Sequence, residues 1–288
     1  MLPESRFLSI TSDGKGVSQA ITTVILVMAV MSVSLAAFFF TQLNLTMQSE
    51  QAEFENAKEA MVNLARIIEN LEEGDAHYVT FSMNSGGLEL RKGVENIRLL
   101  VWDDERSVEW DLGKVNLIKL RSGSGVSGSS FRVLEGDVRI NNKDDLLDRY
   151  IMIRPDNPGP MGVVYQEWDK GAWVVIDFGR IRVMPTGTIP RTDDGLTWYR
   201  VNTVDIVYVN ITFGEIGGGG TFNVYARVKD VKKYAPETFY SQIITVKVER
   251  GPDNAPTLYN DEYDVPGFSG ASITMVYLTV VNVEVSVR

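Results

Sequence analysis

The sequence predicts an α+β protein: one long N-terminal hydrophobic-to-amphipathic α-helix followed by an all-β antiparallel sandwich. Three observations carry that reading. From Ala20 to Leu45 there is no charged residue, and only hydroxyl and amide side chains interrupt the apolar run. Beyond it, Phe54, Ala57, Met61, Leu64, Ile68 and Leu71 follow one another at steps of three or four, which makes one stripe along a helix. After Gly74 the period drops to two, and β-branched and aromatic residues cluster between turn-forming Gly and Asn.

The helix comes first. Neither Pro nor Gly interrupts the chain between Val17 and Glu73, and Gly74 supplies a C-terminal stop, so one continuous helix is expected over 17–74. About 20 apolar residues cross a bilayer core as a helix, so the run from Ala20 is long enough to span. Arg6 and Lys15 precede it, whereas Glu50, Glu53 and Glu55 follow it. That asymmetry keeps the N terminus in the cytoplasm and sends the rest of the chain outward. An ordinary secretory signal has a shorter apolar region of roughly 7–15 residues before a small-residue cleavage site. Ser34-Leu35-Ala36 offers such a site, but cutting there would leave Phe38, Phe39 and Phe40 at the new terminus.

Lys15 and Gly16 stand directly before the apolar run. A short leader ending in Lys-Gly, followed by a helix that passes from apolar to amphipathic, resembles archaeal type IV pilin-like proteins. That superfamily includes adhesive pilins, archaellins and minor pilins, and the resemblance covers roughly the first quarter of the chain. It implies that residues 1–16 are a class III leader, with Lys15 and Gly16 the recognition pair of a prepilin peptidase and Val17 the first mature residue. It also implies that 17–74 spans the membrane before assembly and forms the filament core afterwards, leaving 75–288 as the extracellular domain. Val24, Ile25, Met28, Leu35, Phe38, Phe39, Phe54, Met61, Leu64, Ile68 and Leu71 would then pack the filament core. Two departures narrow the resemblance. Bacterial type IV pilins usually carry Glu at the fifth mature position, which here is Ile21. Val17-Ser18-Gln19-Ala20 replaces the Gly-rich start common in archaellins, which points to a pilus.

The physics of assembly agrees with that resemblance. Each large apolar side chain gains about 1.5–3 kcal/mol on full burial. Exposing this helix to water would therefore cost tens of kcal/mol, and lipid or a bundle of its own copies are the environments that avoid the cost.

In the remaining residues, "VTFSM" at 79–83, "ENIRLLVW" at 95–102, "DIVYVNITF" at 205–213, "TFNVYARV" at 221–228, "IITVKVE" at 243–249 and "VVNVEVSVR" at the end read as strands. In the fourth-last of these, Val207, Val209, Ile211 and Phe213 form one face and Ile206, Tyr208, Asn210 and Thr212 the other. One short helix is expected near Lys143–Asp148. "SGSGVSGSS" at 122–130 reads as a linker or surface loop, and "GGGG" at 217–220 as a hairpin connection. One elaborated sandwich is expected, with two stacked sandwiches as the alternative.

Composition excludes several functions. The chain has 288 residues, 44% of them hydrophobic and 23% charged, which is ordinary for a globular protein. A formal net charge of −10 argues against nucleic acid, because phosphate binding needs clustered Lys and Arg. There is no cysteine, hence neither a disulfide nor a thiolate metal site. The single histidine, His77, has no partner in the sequence pattern, and Gly14-Lys15-Gly16 lacks the rest of a phosphate-binding loop. Asp103-Asp104-Glu105, Asp193-Asp194 and Asp261-Glu262 with Asp264 lack the spacing of a calcium loop and read as solvated turns. Trp102, Trp168, Trp173 and Trp198 are candidates for a sugar-stacking face, with half-buried strand aromatics as the plainer reading. Two sequons, Asn44-Leu45-Thr46 and Asn210-Ile211-Thr212, are candidate N-glycosylation sites.

The expected protein is therefore a non-enzymatic structural subunit of a cell-surface filament, with no cofactor and no metal. Its expected partners are its own copies, a prepilin peptidase, an assembly ATPase, a membrane platform protein, and the membrane itself before assembly. The alternative is a monomeric membrane-anchored binding module for sugar or solute, with an uncleaved N-terminal span.

Overall fold

The computed structural model describes residues 14–126, 131–136, 139–192, 198–216, 220–255, 257–268 and 270–288, with side chains from residue 21 on except at 94 and 216. Most of the leader, Asp193, Asp194 and parts of the two glycine-rich segments lie outside the described residues. The chain divides into two compact units, one ending at Ser49 and the other running from Glu50 to Arg288. A single helix, α1 (Gly14–Glu69, 56 residues), belongs to both.

The helix ends earlier than Gly74. The Asn70 backbone N–H still reaches the Arg66 carbonyl at 3.2 Å, and the Asn70 side-chain amide donates to the same oxygen at 2.7 Å. A side chain competing for a helical carbonyl closes the ladder there. Gly74, at φ +93°, shapes the turn that follows, where the Asp75 N–H meets the Glu72 carbonyl at 3.1 Å.

The rest of the chain forms β1 (Ala76–Ser82), β2 (Gly87–Trp102), β3 (Ser107–Arg121), β4 (Arg132–Glu135), α2 (Lys143–Arg149), β5 (Met152–Ile153), β6 (Val163–Trp168) and β7 (Ala172–Asp177). It continues with β8 (Ile181–Thr192), β9 (Trp198–Ile216), β10 (Thr221–Lys233), β11 (Glu237–Phe239), β12 (Ile244–Gly251), β13 (Tyr259–Val265) and β14 (Ala271–Val287). α2 is the short helix expected near Lys143; the Asn142 carboxamide caps it by accepting from the Asp145 N–H at 2.8 Å. One sheet has the order β1-β10-β14-β9-β8-β5 with β11 on β14, and the other β13-β12-β2-β3-β7-β6-β4.

Pairing is mostly antiparallel, with two parallel pairs in the first sheet, the short β5 on β8 at its edge and β14 on β9 at its centre. β9 and β10 flank the 217–220 segment yet do not pair as a hairpin. β14 lies between them, antiparallel to β10 and parallel to β9, with Thr274 opposite Asn202 and Val283 opposite Ile211. A strand in that place is covered on both faces, as parallel strands usually are. In β14, Val276, Leu278 and Val280 enter one core, whereas Val283, Val285 and Val287 enter another.

Two cores result. One lies between the sheets and joins Ile97, Leu99 and Val101 of β2 to Val204 and Ile206 of β9 and to Leu146 and Leu147 of α2. The other gathers both sheets around the C-terminal half of α1: Phe54, Ala57, Met61, Leu64 and Ile68 meet Val174 and Ile176 of β7, Val224 and Ala226 of β10, and Val283 and Val285. β9 serves both cores: Ile206 and Tyr208 point into the first, Val209 and Ile211 into the second. The side of the strand that enters a core therefore changes between Tyr208 and Val209.

Candidate functional site

The N-terminal half of α1 is the feature a globular domain does not need. Every residue from Ile21 to Ser49 is exposed, including Ile25, Met28, Leu35, Phe38 and Phe39. Three of its hydroxyls bond back to the helix: Ser32 donates to the Met28 carbonyl at 2.8 Å, Thr41 to Ala37 at 2.8 Å and Thr46 to Gln42 at 3.0 Å. Satisfied backbone and hydroxyl groups are what an apolar solvent demands of a segment inside it. By length and composition this helix can cross a membrane.

The C-terminal half behaves differently, because the protein's own sheets already cover its apolar stripe. Phe54, Met61, Leu64 and Ile68 are each at most 2% exposed, and Leu71, beyond the helix end, is half-buried. This corrects the expectation that these residues pack a filament core. Burial inside their own subunit leaves Phe54, Met61, Leu64 and Ile68 no surface for a second copy. Val24, Ile25, Met28, Leu35, Phe38 and Phe39 keep theirs.

Polar contacts fix that buried half in place. Arg66 forks onto Glu135, with Nε to Oε1 at 3.1 Å and Nη2 to Oε2 at 2.8 Å. Glu69 Oε1 accepts from the Met161 N–H at 3.0 Å and from Arg182 Nη2 at 2.9 Å. Glu53 accepts from both the backbone and the side-chain amide of Asn84, at 3.1 and 2.8 Å, and Glu50 Oε2 accepts from the Gly125 N–H at 2.6 Å. Glu50 and Glu53, two of the three carboxylates that read from sequence as an acidic flank of a membrane span, are therefore also fasteners of the helix.

No family model, curated protein or solved structure matches this chain. Its reading rests on its own residues.

Lys15, Gly16 and Val17 fall in the first turns of α1, where the backbone alone is described. Asn44 is exposed. Asn210 is half-buried, and its Nδ2, the atom a glycan would occupy, donates to Asn282 Oδ1 at 2.8 Å. His77 is exposed on β1 opposite Ala226. Among the described residues no group of three or more His, Cys, Asp or Glu side chains is placed to hold a metal. The four candidate tryptophans for a sugar-stacking face do not share one surface: Trp198 is exposed at the start of β9, Trp102 is half-buried at the end of β2, and Trp168 and Trp173 stand on the two arms of the β6–β7 hairpin.

Sequence reasoning missed a buried ionic centre. Arg250, 1% exposed, donates from Nε to Glu95 Oε2 at 2.6 Å and from Nη2 to Asp177 Oδ2 at 2.8 Å, while its Nη1 reaches Asp177 Oδ1 and the Gly179 carbonyl at 3.2 and 3.0 Å. Burial alone would push the Asp177 carboxyl up; the Arg250 charge and its hydrogen bonds more than offset this and hold it below the usual range. Burial likewise pushes the neighbouring Tyr165 and Tyr208 phenols up, so both stay neutral. With four of its five N–H donors matched by acceptors, this guanidinium holds β12, β2 and the end of β7 together. At Asp261, burial outweighs the Arg154 guanidinium 3.2 Å away and pushes the carboxyl up to about 6.

Proposed function

We propose that this protein is a structural subunit of an extracellular helical filament of the archaeal type IV pilus class. Cleavage after Gly16 by a prepilin peptidase releases the leader with Arg6 and Lys15, and the segment from Val17 to about Ser49 moves from membrane to filament core. The β domain forms the outer wall, and attachment to surfaces is the use. The subunit catalyses nothing; its partners are its own copies, the peptidase, an assembly ATPase and a membrane platform protein.

One observation carries the reading: α1 is uncharged and exposed from Ile21 to Ser49, then immediately becomes an integral part of the domain core. Because the domain grips Glu50–Glu69, force applied to the apolar half is transmitted to a packed core. A flexible tether would suffice for a monomeric anchor. Leaving lipid for a bundle of identical helices costs no net apolar burial, so lateral packing can draw subunits out of the membrane. The leader's charges could not follow into a dry core, which is why cleavage must precede polymerisation.

The test is the N-terminal sequence and intact mass of the protein sheared from the cell surface. A terminus at Val17 in sedimentable polymer is expected. Protein that still begins at Met1 and leaves the membrane only with detergent would replace the filament with an anchored binding module.

A further inference from the structure

The β6–β7 hairpin and the ends of β2 and β3 enclose a cleft of about 770 Å³ whose walls include Trp168, Trp173, Arg121, Lys170, Glu89 and Ser85. We propose that this cleft binds an acidic saccharide, a chain of uronate or sulfated sugars, and that it does so whether or not the protein polymerises.

Four features lead there. Trp168 is 53% exposed although its cross-strand partner Ala172 is fully buried, so a large ring is presented to solvent at the cleft while the backbone beneath it is packed. An exposed indole in a polar cleft offers a flat apolar surface of the kind that pyranose C–H faces cover. Second, Arg121 and Lys170 are both exposed at the cleft and carry no ion pair among the described residues. Arg121 donates once, to the Lys170 carbonyl at 3.3 Å, and its guanidinium lies 5.5 Å from the Trp173 ring centroid. Stacking of that kind fixes the orientation of the fork and leaves its other N–H groups free for a carboxylate or sulfate.

Third, Lys170 is the one non-glycine residue with positive φ, +53°, among the described residues. It occupies a three-residue hairpin loop, Asp169 to Gly171, closed by the Asp169 N–H on the Gly171 carbonyl at 3.0 Å. Loops of this length favour Gly or Asn at the left-handed position, so a lysine there is retained against its backbone preference. Such strain gathers at ligand sites. Fourth, Glu89 adds an exposed acceptor that carries no ion pair among the described residues. Two cations alone would describe a bare anion site. Their combination with a carboxylate acceptor and an open indole describes a ligand that carries charge, hydroxyls and an apolar face together. Glu50, the remaining carboxylate of the cleft, is engaged by the Gly125 N–H.

The experiment is calorimetric titration of the detergent-solubilised full chain with a galacturonate trimer, a neutral galactose trimer and inorganic sulfate. The uronate trimer binds, the neutral trimer and sulfate do not, and added salt weakens the affinity. Lys170→Gly relaxes the loop, so its melting temperature is unchanged or raised, yet it weakens binding about tenfold, and Trp168→Ala does the same. No heat with the uronate trimer overturns the proposal, as does equal binding of the neutral trimer or of sulfate alone. Unchanged affinity in the folded Lys170→Gly variant also overturns it. A failure here leaves the leader-processing result untouched, and the reverse holds.

Discussion

The two halves of α1 should answer the same substitution in opposite ways. Leu64 is 0% exposed and Leu35 is 58% exposed. Replacing Leu64 by Ala removes methylene groups worth about 0.8 kcal/mol each and leaves a cavity in the core that α1 shares with both sheets, which they cannot fully close, for a total of about 3 kcal/mol. For a domain of this size one kcal/mol moves the melting temperature by about 2–4 °C, so Leu64→Ala should lower it by about 6–12 °C. Leu35→Ala opens no cavity within the subunit and should stay within about 0.5 kcal/mol of the parent. Its cost should appear instead as reduced yield of sedimentable polymer. Near-UV circular dichroism melts of the detergent-solubilised chain report the first quantity, and sedimentation of sheared material the second. Equal melting shifts for the two variants, or an unshifted Leu64→Ala, would refute the division of the helix.

The buried charges give two further outcomes. Arg250→Met leaves Asp177 and Glu95 buried without their cation and should cost about 3–5 kcal/mol near neutral pH. Burial then raises the folded-state Asp177 carboxyl above its unfolded range, so the loss should shrink as pH falls; urea titrations at pH 4 and pH 7 compare the two. Asp261 is already in that condition, with a folded-state pKa of about 6 against about 3.9 unfolded. Its contribution is fully present below pH 4 and lost as pH rises through 6. Asp261→Asn removes that dependence, so the variant should gain about 1–2 kcal/mol on the parent between pH 4 and pH 7, and a flat difference would contradict the burial of this carboxyl.

How much of this was legible depended on range. The stripe from Phe54 to Ile68 could be read because neighbours on a helix face are three or four residues apart, and the structure buries those same side chains. Strands β1, β2, β9, β10, β12 and β14 could be read for the same local reason. Their partners could not. Nothing near Ala271–Val287 says that this strand enters between β9 and β10, and the 217–220 segment consequently read as a hairpin. Periodicity also cannot say what covers an apolar face, so Leu64 and Leu35 looked alike in sequence although one is spent inside the subunit. The ionic centre was beyond reach, since Arg250 and Glu95 stand 155 positions apart. The cleft was half legible: Trp168 and Trp173 were noticed as aromatics, but their grouping with Arg121, and the left-handed Lys170 between them, come from the hairpin and its pairing to β3.

The absence of cysteine makes a direct test of the central claim available, because a single introduced thiol has no competitor. Leu35→Cys and Leu64→Cys would be expressed separately, the surface material sheared and treated with a flexible bismaleimide, which tolerates the offset between equivalent residues of a helical polymer, and the products separated by denaturing electrophoresis. Cross-linked dimer is expected for Leu35→Cys and monomer for Leu64→Cys. Monomer from both, with the protein confined to the membrane fraction, would contradict assembly through the N-terminal half of the helix.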